Sequence, residues 1–382
     1  MKTIDADGHV IEPADLWKKE LPPSLRSRGF EIRWNPETRQ EEVWVEERLL
    51  LPVGIVGVGL AGRPFDDVGK GVRYSELMPG GFDPKARLRD MDEEGIDIAV
   101  LYPSVGLFLE AIEDPELAEA SCRVYNDWLA DYCSAAPDRL VGVAAVPLQD
   151  VDAAVRELRR AVSDLGMKGA FVRPNPCKGR SLHDPYFDPF WAACAEAGVP
   201  VGLHPSGADD LPGALRGLRL DAPIMGHPSI FFIDNFVGFS QMVCGGVLER
   251  HPNLEVVVLE AGGGWIGHWF DRFDHFAHVY AWMAPHLRLK PSEYFRRQCY
   301  ISFDPDETTL PLLLPVIGED RVVWASDYPH LDATFPGVVR ELEEHLGALP
   351  PSARDKIRGA NAAKLYGIPV DGAQGGSARS SS

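Results

Sequence analysis

The chain has 382 residues, of which 45% are hydrophobic and 25% are charged, a balance that is ordinary for a globular protein. Its net charge of −19 argues against non-specific binding to nucleic acid or to an anionic membrane, because both need basic surface patches. No apolar run reaches the roughly 18 residues of a membrane span, and the first residues lack the apolar core of a signal peptide. We therefore expect a cytoplasmic protein with reduced cysteines that binds neither nucleic acid nor membrane.

Eight short apolar runs predict β-strands that are buried on both faces, because most are β-branched and continuously apolar. In chain order they are 3–9, 96–102, 140–146, 167–173, 199–204, 254–260, 299–303 and 322–327. Helical patterns cover 84–95, 114–136, 151–165, 185–198, 230–250, 265–283, 308–317, 337–346 and 352–366. This alternation predicts the α/β class and a (β/α)8 TIM barrel. An open doubly wound sheet is the alternative, although no glycine-rich loop follows the first run.

The segment 10–83 departs from the alternation, since it is too long for an ordinary loop between a strand and a helix. Within it, 30–34 and 42–46 alternate apolar and polar residues on either side of a turn, which predicts a β-hairpin. Because this insertion leaves the C-terminal end of the first strand, we expect it over the active-site mouth, either as a lid or as mere decoration. Residues 1–370 are predicted to form one barrel domain, and the small, polar residues 371–382 a disordered tail.

Four residues that can bind a metal stand at the ends of three predicted strands. Asp7 and His9 close the first strand two residues apart, so both side chains point to one face. His204 closes the fifth strand and Asp327 closes the eighth. The C-terminal ends of parallel barrel strands meet at one face of the barrel, and carboxylate with imidazole suits Zn²⁺, Mn²⁺ or Fe²⁺. The sequence therefore predicts one divalent metal ion per chain, with an open position for water or substrate.

The same motifs carry a family resemblance. Asp7-Gly8-His9, His204 before a proline, and Asp327 in the run 326–330 resemble the amidohydrolase superfamily, in its amidohydrolase-2 or amidohydrolase-related branch. The resemblance covers about residue 3 to about residue 366. It implies that Asp327 both binds the metal and acts as a general acid or base. It also implies a small-molecule substrate, namely a carboxylate or acyl derivative, and a homodimer.

Three further residues are candidates for catalysis: Glu260, His330 and Arg173. Glu260 ends the sixth strand, where many members of the family that this chain resembles carry a histidine. It can act as a further ligand, a proton shuttle or a substrate contact, or it can cap the amides of Gly262–Gly264. Arg173 ends the fourth strand, where it can hold a substrate carboxylate or balance the acidic site. His330 can support Asp327 or face the substrate.

The expected reaction is hydrolysis, in which metal-activated water attacks the acyl carbon of an amide, ester or thioester of a small organic acid. Asp327 would take the proton from that water. The second possibility is non-oxidative decarboxylation of an aromatic or unsaturated carboxylate, with Asp327 protonating carbon. The resembling branch includes such decarboxylases, but they usually carry histidine at the position of Glu260. The third possibility is a barrel that has lost catalysis and binds a ligand.

The helical segment 265–283 carries an aromatic stripe, with Trp265, Trp269, Phe273, Phe276 and Tyr280 at helical spacing. Aromatic side chains in such a stripe are typical of packing or of a subunit interface. We therefore assign the stripe to one of these two structural roles rather than to cofactor binding.

Overall fold

The computed structural model describes residues 1–50, 58–63, 71–206 and 223–369, with the backbone alone for 223–227. The predicted tail, 371–382, lies outside these residues, and so does part of the predicted insertion. Within them the chain alternates strands and helices, as the sequence predicts. The strands in chain order are β1 (Ile4–His9), β2 (Glu31–Asn35), β3 (Gln40–Val45), β4 (Arg48–Leu49), β5 (Ile98–Tyr102), β6 (Leu140–Gly142), β7 (Ala144–Ala145), β8 (Ala170–Val172), β9 (Val201–Leu203), β10 (Val256–Val258), β11 (Cys299–Phe303) and β12 (Val322–Trp324).

The barrel strands pair in parallel in two arcs, β1-β5-β6 and β7-β8-β9-β10-β11-β12. Their side chains are apolar and buried, which is why the sequence shows continuous apolar runs. Only Val143 separates β6 from β7. Its amide donates to Leu101 O at 3.1 Å, while the amide of Ala144 donates to Gly169 O at 2.9 Å. The two short strands are therefore one barrel strand that turns from one neighbour to the next.

The first and last barrel strands meet through the residues at their C-terminal ends. The amide of Asp327 donates to Asp7 O at 3.1 Å, and the amide of His9 donates to Tyr328 O at 2.8 Å. With β6 and β7 taken together, the described residues supply eight parallel strands, and the prediction of a TIM barrel is confirmed. These two hydrogen bonds also set Asp327 directly beside Asp7 and His9.

The helices follow the strands with short connections. They are α1 (Leu16–Glu20), α2 (Pro84–Glu94), α3 (Pro115–Cys133), α4 (Val151–Ser163), α5 (Asp188–Ala197), α6 (Pro223–Cys244), α7 (Val247–Arg250), α8 (Ile266–Val279), α9 (Pro291–Gln298), α10 (Leu310–Ile317), α11 (Val338–Leu346), α12 (Pro351–Asp355) and α13 (Asn361–Leu365). Aspartates cap α2, α3 and α4, and Gly95 and Gly198 end α2 and α5 in the left-handed region. The predicted helix 230–250 is two helices, because the chain turns at Gly246 with φ of 82°.

The insertion after β1 contains the predicted hairpin. β2 and β3 pair antiparallel from Glu31 opposite Trp44 to Asn35 opposite Gln40, and β4 adds a third short strand. The insertion returns to the barrel mouth, where the amide of Ala61 donates to Pro329 O at 3.1 Å. Its described residues thus reach the loop that follows β12. A role as a lid stays a prediction.

The aromatic stripe of α8 divides into two parts. Trp269 is buried and stacks on Phe273 with ring centroids 4.6 Å apart, so the first part packs inside the subunit. Beyond the helix, Trp282 is 76% exposed. The homodimer stays a prediction.

Among the residues that the structure describes, no helix is both long enough and apolar enough to cross a bilayer.

Arg87 of α2 lies buried beneath the C-terminal ends of β1 and β12 and ties them together. Its Nη1 donates to His9 O at 2.8 Å and to Tyr328 O at 3.3 Å. Its Nη2 lies 4.0 Å from the buried carboxylate of Asp5. That carboxylate in turn accepts from the amide and the hydroxyl of Ser326, at 3.0 and 2.6 Å. A single guanidinium therefore satisfies two carbonyls and balances one carboxylate under the candidate site.

We expect Arg87→Leu to lower the free energy of unfolding by about 3–5 kcal/mol, because it leaves Asp5 as a buried charge without its cation. The measurement is the urea midpoint followed by circular dichroism. Arg89→Leu is the matched control, since Arg89 is exposed on the same helix and should change stability by less than about 0.5 kcal/mol. Equal effects of the two substitutions would contradict the role of Arg87.

Candidate metal centre

The four predicted metal ligands converge at the C-terminal face of the barrel. His9 Nε2 lies 3.6 Å from Asp7 Oδ1 and 3.3 Å from Asp327 Oδ1. His204 Nε2 lies 3.6 Å from Asp7 Oδ2 and 3.2 Å from His9 Nε2. Strand alternation places Asp7 and His9 on one face, and β9 and the loop after β12 bring His204 and Asp327 to it.

Both imidazoles turn their Nε2 lone pairs toward the centre of this cluster. His9 Nδ1 is 2.7 Å from Pro103 O, and His204 Nδ1 is 2.7 Å from Pro205 O. A carbonyl oxygen only accepts hydrogen bonds, so each Nδ1 carries the proton and each Nε2 is bare. Two bare nitrogens 3.2 Å apart repel one another unless a cation lies between them and the carboxylates.

Asp7 is the strongest sign that a cation belongs here. It is 1% exposed, and neither of its carboxylate oxygens has a hydrogen-bond partner among the described residues. Burial, and the charges of Asp327 and Asp5, raise the pKa of Asp7 well above its ordinary value. Burial and the nearby His330 lower the pKa of His9 to about 4, so that this imidazole is neutral at pH 7. Neutral imidazole with carboxylate oxygen is a donor set that fits one divalent metal ion.

His330 contacts Asp327 and His9 at the edge of this cluster. Its Nδ1 lies 2.8 Å from Asp327 Oδ1, its Nε2 lies 2.9 Å from Ser104 Oγ, and its ring stacks on His9 at 4.0 Å. Although burial opposes both charges, the pair holds the pKa of Asp327 below its ordinary value and that of His330 above it. The contact of His330 with Asp327 agrees with its predicted position, and its catalytic role stays a prediction.

Glu260 joins the cluster from the end of β10. Its Oε2 lies 3.3 Å from His204 Nε2, and its side chain is 12% exposed. The alternative that Glu260 caps the glycine amides after it is wrong, because Glu307 does so. Glu307 accepts from the amide of Gly263 at 2.9 Å and from that of Gly264 at 3.1 Å.

Arg173 directly follows β8 and is buried. Its Nη2 donates to Asn175 Oδ1 at 3.2 Å. A role in substrate binding stays a prediction.

The sequence reasoning missed Asp332, whose carboxylate lies within 4.8 Å of those of Glu260 and Asp327. Its only sequence signal is its position, five residues after Asp327.

The amidohydrolase family model (Amidohydro_2) matches residues 4–368, so the chain belongs to this family, as the resemblance predicts. A gamma-resorcylate decarboxylase of Rhodococcus jostii (strain RHA1) is 32% identical over 321 residues, which cover 78% of this chain and 91% of that protein. A 2-amino-3-carboxymuconate-6-semialdehyde decarboxylase of Dictyostelium discoideum is 28% identical over 300 residues, which cover 77% and 79%.

Solved structures agree with the fold. The chain resembles an amidohydrolase from Mycobacterium avium subsp. paratuberculosis K-10 with a TM-score of 0.80 and 26% identity, covering 96% of this chain and 99% of the other. It resembles a 5-carboxyvanillate decarboxylase from Novosphingobium aromaticivorans with a TM-score of 0.62 and 26% identity, covering 74% and 79%. That enzyme was crystallised with manganese and 4-hydroxy-3-methoxy-5-nitrobenzoic acid.

The expectation of acyl hydrolysis is wrong, because these relatives are decarboxylases. The comparisons favour the second possibility, decarboxylation. The error has a chemical cause. A metal held by imidazole and carboxylate polarises a substrate oxygen in both reactions, so the ligand residues do not separate them.

We expect Mn²⁺ to stabilise the wild-type protein by about 2.7 kcal/mol at a free concentration 100 times its Kd, measured as the shift in thermal unfolding against a chelated sample. Asp7→Asn should remove most of this shift, because it replaces a charged donor by a neutral one. Without metal, the same variant should be at least as stable as the wild type, since it removes a buried charge that has no partner.

Asp320→Asn is the control for this metal experiment. Asp320 is 61% exposed, pairs with Lys356 and precedes the opposite end of β12. It should keep the full response to Mn²⁺. An Asp7→Asn variant that responds as the wild type does would count against a metal at this cluster.

Proposed function

We propose that this protein is a metal-dependent, non-oxidative decarboxylase of a small aromatic or unsaturated carboxylate. The observation that carries the proposal is the convergence of bare donor atoms from Asp7, His9 and His204 beside Asp327, in a chain whose relatives remove carboxylate groups. We also propose that residues 1–370 act as one catalytic domain.

Asp7, His9, His204 and Asp327 would hold the metal, each from a different position around the mouth. Their donor atoms already lie within 3.2–3.6 Å of one another in the pairs given above. The bound ion would supply positive charge to the substrate carboxylate and to an adjacent oxygen of the substrate. The residues themselves fix the orientation, because both imidazoles are locked by backbone carbonyls.

The reaction breaks the bond between the substrate carbon and its carboxylate, releases CO₂ and leaves an electron pair on carbon. That carbon then takes one proton. Asp327 Oδ1 and His330 Nδ1 lie 2.8 Å apart, a distance over which a proton can pass from one to the other. We assign the delivery of this proton to Asp327, with His330 as its support.

Two further residues complete the proposed site. Arg173 follows β8 at the same end of the barrel, and a guanidinium there suits an anionic substrate group. Glu260 follows β10, the strand paired with β9, and faces His204. The substrate is a small molecule in this proposal, and nothing in it requires nucleic acid or a membrane.

The test is decarboxylation in D₂O, with gamma-resorcylate and 5-carboxyvanillate as first probes and nuclear magnetic resonance as the measurement. Wild-type protein loaded with Mn²⁺ should release CO₂ and place one deuterium on the carbon that carried the carboxylate. Asp327→Asn should lower the rate by roughly 100-fold to 10,000-fold, because it removes the proton donor.

Asp320→Asn serves again as the control and should keep wild-type turnover. A product without deuterium at that carbon would reject protonation of carbon as the step. Cleavage of acyl esters by the loaded enzyme, without CO₂ release from a wider set of hydroxybenzoates and carboxymuconates, would reject the proposed function.

A further inference from the structure

Glu260 follows β10 and lies beside the predicted metal ligand His204. The amide of Leu259 continues the sheet by donating to Leu203 O at 3.1 Å, so Glu260 leaves the barrel one residue after the last sheet hydrogen bond. Its Oε2 then approaches His204 Nε2 to 3.3 Å. That nitrogen is bare, because His204 Nδ1 carries the proton to Pro205 O. A carboxylate oxygen and a bare nitrogen this close together can share one cation.

The backbone holds Glu260 in this direction at a cost. Its φ is 46°, in the left-handed region, which costs a residue with a side chain roughly 1–2 kcal/mol. The amides of Gly263 and Gly264 are satisfied by Glu307, so capping of these two glycines does not explain the conformation. Strain of this kind is found where a side chain must point at a functional site.

We propose that Glu260 is a fifth protein ligand of the same metal ion. This inference rests on the proposed metal site and adds to it a third carboxylate, so that the donors are Asp7, Glu260 and Asp327 with His9 and His204. Oxygen-rich donor sets suit Mn²⁺, whereas Zn²⁺ usually takes four ligands in a tetrahedron. The site should therefore select Mn²⁺ more strongly than a site without Glu260.

The experiment is equilibrium dialysis of metal-free protein against buffered free Mn²⁺ or Zn²⁺, with bound metal counted by plasma mass spectrometry. No substrate is present. Glu260→Gln keeps the size of the side chain and removes its charge. It should weaken Mn²⁺ by more than the roughly 10–100-fold that loss of an outer partner costs, and Zn²⁺ by at least tenfold less than Mn²⁺.

Two further variants make the result specific. Glu260→His replaces the oxygen donor by nitrogen, so it should recover Zn²⁺ binding and leave Mn²⁺ binding weak. Glu307→Gln makes the same chemical change in the carboxylate that caps Gly263 and Gly264, and it should change both affinities by less than roughly 10-fold. Circular dichroism of the metal-free variants checks that each is folded.

Three outcomes would overturn the inference. Unchanged Mn²⁺ binding in Glu260→Gln would mean that Glu260 only donates a hydrogen bond to His204, since the amide of glutamine can do the same. Equal losses in Glu260→Gln and Glu307→Gln would mean a general charge effect. Two ions per wild-type chain would assign Glu260 to a second site with Asp327 and Asp332.

The failure of this inference is separate from the failure of the proposed function. If the wild type binds one ion, releases CO₂ and keeps its Mn²⁺ in Glu260→Gln, only the ligand role of Glu260 is wrong. If the wild type binds Mn²⁺ through Glu260 and never releases CO₂, the decarboxylase proposal is wrong and the ligand role stands.

Discussion

The whole mouth of the barrel depends on one electrostatic constraint: the gathering of like charges and lone pairs in a buried place. Asp7 is 1% exposed and both its oxygens lack partners among the described residues, while two bare imidazole nitrogens face it. Such an arrangement is costly in a protein interior, where an unpaired carboxylate is poorly solvated. The fold bears this cost because a divalent cation removes it. Relief of this electrostatic repulsion contributes to the free energy of metal binding.

The surrounding structure can be understood as the means of holding those donors against their mutual repulsion. Arg87 binds the carbonyls of His9 and Tyr328 from below, so the ends of β1 and β12 cannot spread apart. Asp327 adopts a φ of 56°, and Glu260 a φ of 46°, both in the left-handed region. Neither side chain would point into the mouth if its backbone continued as a strand, because the side chains of a strand alternate about the sheet. The barrel places the strand ends, and these local turns orient the side chains of Asp327 and Glu260.

This division explains how far the sequence predicts the molecule. Asp7, His9 and His204 lie on or directly after apolar strands, so the period of two and the strand-end rule locate them. The strand-end rule also locates Glu260, but it does not predict which residues the Glu260 side chain contacts. Whether it caps the following amides is decided by Glu307, a residue far along the chain that carries no local signal. The break at Val143 is likewise absent from the sequence pattern, since a strand that changes neighbours stays apolar throughout.

The metal ligands alone do not distinguish acyl hydrolysis from decarboxylation. The two reactions differ in where their protons come from and where they end. Hydrolysis of an acyl bond takes a proton from water and can return it to the leaving group within the same turnover. Decarboxylation leaves a proton on carbon, so each turnover must bring in a new one. A site for the second reaction therefore needs a chain of groups behind its acid. Asp327, His330 and Ser104 form such a series, with contacts of 2.8 and 2.9 Å. In the proposed decarboxylation, this series of contacts would bring to Asp327 the proton that each turnover consumes.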